Sequence, residues 1–479
     1  MTTQLDVPRP VDPVSVPALS GVFAPVPDER DLSDLTVVGE LPPDLRGVYL
    51  RNGPNPLYPP LGSYTYPLDG DGMVHGIWIA EDGSVRYRNR FVWTHQLRAE
   101  QRAGKALWGG LLAGYMPGPD VVPDELANRP KALPDINIIR HAGRTLALAE
   151  VAPPWELSEQ LETVGTRPYT WGGVIPGMCA HPKIDPRTGE LVLFRYAFQE
   201  PYLMWASIAP DGSVAHPPEP IPVDGPYLIH DFVLTERHVV LFVAPAVFNL
   251  MAAQTGGDVL AWRPERPLRI AVVPRQAGAG PVRWLETEPF WVWHFANGFD
   301  DGEDIVVDFA RLSALTMTTP VPLTTAITRA RLEPATGRVR LETLDERNAE
   351  FPRIDDRLQG AAHRFFTLSA TERAVAPNLA APDLYNVLLR VDTATGAVAE
   401  WHSGSHVFGE VVFAPAAGGA PDQGYYVTFR TDRQTLLSDW VVLDAAHIAA
   451  GPLAVVPLPF RVPLGLHGNW FGSQGGGGL

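Results

Sequence analysis

Ala180-His181-Pro182-Lys183-Ile184-Asp185-Pro186-Arg187-Thr188-Gly189-Glu190-Leu191-Val192-Leu193-Phe194 carries the two signals on which the fold turns. Its second half is a five-residue turn ending in glycine, then an apolar run suited to a strand. Glycine relieves the positive-φ strain of such a turn. The turn recurs at Glu333-Pro334-Ala335-Thr336-Gly337 and at Asp392-Thr393-Ala394-Thr395-Gly396, with simpler Asp-Gly turns at Asp82-Gly83 and Asp211-Gly212. Flanking alternation, as in Arg338-Val339-Arg340-Leu341, marks half-buried strands. The turns keep no fixed period. Irregular recurrence fits an all-β chain whose sheets share a design but are joined by unequal loops, as in a propeller with long insertions. Helical patterning is sparse, limited to Trp93–Trp108 and two turns over Trp155–Leu161.

Composition narrows the function classes. The chain has 479 residues with 44 glycines, 49 prolines, 19% charged and 45% apolar residues, which describes a loop-rich globular protein with ample core. A net charge of −16 excludes a nucleic-acid binder, which needs a clustered basic surface. The lone Cys179 excludes an internal disulfide and suits a reducing compartment. Met1–Ser20 lacks a basic start with an apolar run behind it, so a cytoplasmic location is expected. The most apolar stretch, Val239–Ala253, is interrupted by Pro245 and Asn249 and is too short to span a bilayer. No linker divides the chain. The expectation is one domain over 1–479, with an N-terminal extension (1–30) and a flexible glycine-rich tail (472–479).

The first half of the opening stretch holds the second signal, His181. Three further histidines occupy comparable short settings: His230 in Leu228-Ile229-His230-Asp231-Phe232, His294 in Trp293-His294-Phe295-Ala296-Asn297, and His467 in Gly465-Leu466-His467-Gly468-Asn469-Trp470. Imidazole binds a divalent transition metal while neutral near pH 7. Separations of this size rule out a local hairpin or helix site, so the whole chain must wrap around any common centre. Cys179, two residues before His181, reads better as a small buried apolar residue than as a ligand.

At these residues the chain resembles the carotenoid cleavage oxygenases, which include apocarotenoid oxygenases, stilbene-cleaving dioxygenases and the retinoid isomerase of the eye. The resemblance is carried by Leu45-Arg46-Gly47-Val48-Tyr49-Leu50-Arg51-Asn52-Gly53-Pro54-Asn55-Pro56, by Leu68-Asp69-Gly70-Asp71-Gly72-Met73-Val74-His75, and by the four histidine settings in order. It implies a seven-bladed β-propeller with a loop and helix cap over the active-site face. One Fe(II) per chain would lie on the axis, held by His181, His230, His294 and His467. Three glutamates behind the histidines would be Glu150, Glu350 and Glu410, with His181 the histidine lacking one. No catalytic residue is expected beyond the metal centre. Ile136, Ala149, Trp171, Phe295 and Phe351 are candidates for the substrate tunnel.

The implied activity is O2-dependent cleavage of a conjugated C=C bond to two carbonyl products. The four electrons that reduce O2 come from the alkene, so no flavin or nicotinamide is needed, and no Gly-x-Gly-x-x-Gly fingerprint occurs. The expected substrate is a carotenoid or apocarotenoid. The alternative is a stilbene or alkenylphenol, and a remoter one is a propeller that binds a polyene without oxidising it. Stilbene cleavers of the family carry a lysine just before the first glutamate, where this chain has Ala149. On the other side, Glu350-Phe351-Pro352-Arg353 and Leu458-Pro459-Phe460-Arg461 resemble segments of bacterial stilbene cleavers. Many relatives have Asn-Thr-Asn where this chain has Asp135-Ile136-Asn137, and Ile136 keeps the β-branched bulk that shields the metal. By the same resemblance, Phe242–Ala261 would help form an apolar mouth that draws substrate from membranes, with peripheral membrane contact through 239–261.

Overall fold

Val85–Phe91 alternates buried and half-buried residues along its length, and the adjacent Met73–Ile79 is almost wholly buried. Such segments lie in antiparallel sheets with one or both faces covered. The computed structural model describes residues 7–65, 68–249, 259–276, 278–315, 323–372 and 384–473. These residues form seven antiparallel sheets, together with a separate two-stranded hairpin. The sheets are the blades of a seven-bladed β-propeller.

Blade 1 holds Gly47–Arg51, Met73–Ile79 and Val85–Phe91, with the edge strand Asp31–Leu32 and the C-terminal strand Gly468–Gly472. Blade 2 is Asn137–His141, Arg144–Leu148 and Trp155–Leu157. Blade 3 runs from Lys183–Ile184 to Val214–Pro220, blade 4 from Val233–Leu234 to Arg283–Thr287, and blade 5 from Phe295–Asp301 to Arg338–Asp345. Blade 6 runs from Ala349–Arg353 to Val398–His402. Blade 7 spans His406–Phe408 to Pro452–Pro457 and takes Val38–Gly39 from the N-terminal region at its outer edge.

The ring closes twice. Gly468–Gly472 pairs with Gly47–Arg51 inside blade 1, and Val38–Gly39 pairs with Val455 and Ala454 in blade 7. Tyr49, Phe429 and Trp440 pack across the junction of these two blades, with Tyr49–Phe429 centroids 5.4 Å apart. Such aromatic contacts add about 0.5–1.5 kcal/mol each beyond the area they bury. First strands of neighbouring blades touch one another, Val233–Leu234 on Phe295–Asp301 and the latter on Ala349–Arg353, which places them around the axis.

The three predicted glycine-ended turns share one geometry. Gly189, Gly337 and Gly396 sit at φ +71, +75 and +72, and each N–H donates to the carbonyl four residues back. A fourth copy, Asp432 to Leu436, has leucine at φ +57 in the glycine position, so the sequence pattern hid it.

Two expectations need correction. Trp155–Leu157 is a strand, not a helix, because Trp155 and Leu157 face the core on either side of half-buried Glu156. Val239–Val243 is buried in the centre of blade 4, so it cannot touch a bilayer. Beyond it, Ala246–Phe248 pairs with Leu260–Trp262 in the separate hairpin, and Val247, Phe248, Leu260 and Trp262 are half-buried. Residues 250–258, like the ends of the extension and tail (1–6 and 474–479), lie outside the described residues. The expected helix does form, at His95–Ala103, capped by the Thr94 hydroxyl and ended by Gly104 at φ +67.

Candidate metal centre

Each of the four histidines stands at the head of an innermost strand. His181 precedes Lys183–Ile184, His230 precedes Val233–Leu234, His294 abuts Phe295–Asp301, and His467 abuts Gly468–Gly472. Equivalent positions in blades 3, 4, 5 and 1 bring them together, with one nitrogen from each within 4.8 Å of all the others. Three of the rings are buried and His294 nearly so. Ring centroids lie 4.4 Å apart for His181–His467 and 4.6 Å for His294–His467.

The remaining three blades supply carboxylates. Glu150 follows the second strand of blade 2, Glu350 lies in the first strand of blade 6, and Glu410 lies between the inner strands of blade 7. His230 Nδ1 bonds Glu150 at 2.8 Å, His294 Nδ1 bonds Glu350 at 2.6 Å, and His467 Nδ1 bonds Glu410 at 2.9 Å. No carboxylate bonds His181 among the described residues. A proton held on Nδ1 leaves the Nε2 lone pair facing the axis.

Donor chemistry is the test of whether this constellation suits a metal. His181 Nε2 and His230 Nε2 face each other at 3.0 Å, and His294 Nε2 is buried without a hydrogen-bond partner. Nitrogens bound at right angles to one first-row ion at ~2.1 Å lie about 3.0 Å apart. An orphaned buried nitrogen is unfavourable without a partner, and a cation among the four rings would supply one. The residues fit a divalent ion.

Electrostatics keep two of the rings, His181 and His467, available as neutral donors. Burial drives His181 well below the ordinary histidine range, helped by the three other imidazoles, and lowers His467 to about 4 against the pull of Glu410. At His294 burial is outweighed by Glu350, and the shift is upward. Burial acts against ionisation of Glu410, yet Arg353 and His467 bring it down to about 2.

The tunnel candidates separate. Ile136 packs with Ala180, Leu466 and Phe351, beside two of the histidines. Phe351 stacks on His294 at 5.6 Å and meets His467 edge-on at 5.4 Å. It holds φ +55, where its N–H donates to Glu350 at 2.6 Å, and the strand register shifts there. Bulges of this kind re-aim side chains beside functional sites. Ala149 is buried next to Glu150. Phe295 instead points into the blade core against Phe242 and Phe309, and Trp171 packs on Tyr169 in the same core cluster. Trp293, which meets His230 edge-on at 5.0 Å, is closer to the centre than either. Cys179 is buried outside the histidine group, and burial pushes its thiol up to about 12.

A propeller with four imidazoles and three supporting carboxylates at its axis defines an oxygenase class. Residues 23–472 match the family described as retinal pigment epithelial membrane protein. A carotenoid cleavage oxygenase of Mycobacterium tuberculosis is 32% identical over 95% of this chain and 97% of its own length. Resveratrol cleavage oxygenase 1 of Aspergillus fumigatus is 30% identical over 95% of each chain. The lignostilbene dioxygenase structure from Pseudomonas brassicacearum superposes with a TM-score of 0.87 at 32% identity, covering 96% of this chain and 99% of that one. The chain belongs to the carotenoid cleavage oxygenase family, the non-haem iron dioxygenases that oxidatively split conjugated double bonds.

Proposed function

We propose that this chain cleaves a carotenoid or apocarotenoid, with His181, His230, His294 and His467 holding one Fe(II). The observation that carries the substrate class is the lack of a lysine placed to take a phenol's proton. Ala149 stands where a lysine would be needed, and the chain's three lysines offer no substitute. Lys131 is held by Asp71 and Glu100 at 2.7 Å each, Lys183 by Asp231 at 2.8 Å, and Lys105 is exposed just past the helix. A hydrocarbon polyene needs no deprotonation.

When bound, iron supplies the site for O2 activation. The chain's residues do the rest. Glu150, Glu350 and Glu410 orient three rings through Nδ1. Burial holds His181 and His467 neutral, and four neutral ligands leave the ion's charge intact. Ile136 and Phe351 form an apolar wall that excludes water and supports an uncharged alkene beside the rings. The half-buried apolar hairpin residues Val247, Phe248, Leu260 and Trp262 support peripheral membrane uptake of such a substrate.

Phenol cleavage is the competing reading, supported by the close superposition with the lignostilbene enzyme. Mass spectrometry of products from an apocarotenal, resveratrol and isoeugenol under labelled O2 decides between them. The expected result is two carbonyl fragments from the apocarotenal, each gaining one labelled atom. Robust turnover of the phenols alone overturns the substrate assignment.

A further inference from the structure

Buried and half-buried side-chain bonds link the seven blades in a closed belt around the axis, and their partners repeatedly flank the histidines. Asn469 donates to the Ile138 carbonyl at 2.7 Å, joining blades 1 and 2. Asn137 donates to the Ala180 carbonyl at 3.0 Å, joining blades 2 and 3 one residue before His181. Lys183 pairs with Asp231 at 2.8 Å across blades 3 and 4, and Asp231 accepts from the Phe295 N–H of blade 5 at 2.9 Å. His294–Glu350 joins blades 5 and 6, and Arg353–Glu410 at 3.1 Å joins blades 6 and 7. The belt closes where the Gly468 N–H of blade 1 donates to Glu410 at 2.9 Å.

Asp231 is the link with the greatest reach. Its side chain is 2% exposed. Oδ1 accepts from Lys183 and from the Phe232 N–H at 2.7 Å, and Oδ2 accepts from Phe295. Lys183 lies two residues after His181, Asp231 one after His230, and Phe295 one after His294. One carboxylate therefore holds the backbone beside His230 and His294 and the side chain of Lys183 near His181, in three different blades. We infer that Asp231, braced by Lys183, is a positioning residue that sets the mutual spacing of His181, His230 and His294 at the metal. It touches no reacting atom. The inference rests on the metal reading above.

Every group facing Asp231 is a donor, so an amide in its place turns at least one N–H toward another donor. Changes to groups that orient metal ligands typically lower metal affinity 10–100-fold. The test uses the full chain with Co(II) as probe, reading the dissociation constant and the visible d–d spectrum. Asp185→Asn is the comparator, since Asp185 follows the inner strand of blade 3 that carries Lys183, is as buried as Asp231, and is bound by Arg187 and Arg275 rather than by a neighbour of a histidine. Asp231→Asn is expected to weaken cobalt binding at least tenfold and shift the spectrum, while Asp185→Asn lowers thermal stability with spectrum and affinity kept. Lys183→Met should show part of the loss, and Lys183→Arg should restore it; that pair carries the test if Asp231→Asn does not fold. Affinity within twofold of wild type and an unchanged spectrum in Asp231→Asn, or in Lys183→Met where that pair is used, overturn the positioning role. A wild-type chain that takes up no cobalt overturns the metal reading instead.

Discussion

Glu350 and Glu410 both receive an imidazole N–H, yet they differ in what else they hold. Glu350 also accepts from the Phe351 N–H, whereas Glu410 faces the buried guanidinium of Arg353 and the Gly468 N–H. Glu350→Gln and Glu410→Gln should each weaken metal binding about 10–100-fold, measured by chelator competition. Only Glu410→Gln takes a charged partner from a guanidinium, and Arg353 then keeps Asp356 at 3.0 Å. It should also lower the metal-free protein's stability by about 1.5–3 kcal/mol in denaturant melts, with Glu350→Gln falling short of that. Much of this centre was legible in the sequence because ligands and glutamates sit in short motifs of their own. Asp231, Lys183 and Arg353 stood inside those motifs but carried no visible role, since a carboxylate that bonds a backbone N–H of the next blade leaves no local trace. Phe295 misled for the opposite reason: adjacency to His294 says nothing of which side of the strand it faces.

Among elements, the glycine-ended turns give the sharpest comparison. A Cβ on Gly189 would meet Pro210 at 3.0 Å, while at Gly337 and Gly396 it would meet open space. All three hold positive φ, so alanine costs about 1–2 kcal/mol at each. Gly189→Ala should exceed the other two in thermal melts because it adds a clash. The same turn houses an acid-sensitive group. Burial acts to raise Asp185, but Arg187 and Arg275 prevail and bring it to about 2, below its ordinary 3.8. A depressed folded-state value means stability that is complete above about pH 4 and lost as pH falls toward 2. Asp185→Asn should flatten that acid limb in pH-dependent melts, and an unchanged limb would show the ion pairs contribute nothing. Turn residues and alternation made the strands readable. The fourth turn escaped because Leu436 adopts the left-handed conformation without glycine, and Trp155–Leu157 because three residues are too few to distinguish periods.

For the whole molecule, the propeller is a device for assembling a site from remote sequence. Blades 1, 3, 4 and 5 give imidazoles and blades 2, 6 and 7 give carboxylates, so a change in ring geometry reaches every ligand. Ending the chain after His467 would keep all four histidines but remove the strand that pairs with Gly47–Arg51. Such a chain should lose several kcal/mol of stability and its metal together, read by melting and by metal content. Retained metal would show that closure is dispensable. Blade number and closure were not visible in composition or turn spacing; they followed from the family resemblance, because irregular turns count strands without saying which edges meet.

The most direct measurement is anomalous diffraction at the iron edge from crystals of the anaerobically loaded chain. One peak is predicted per chain, within bonding distance of a nitrogen from each of His181, His230, His294 and His467 and of no protein oxygen or sulfur. A peak elsewhere, or iron bound by a carboxylate in place of one of these rings, would contradict the account.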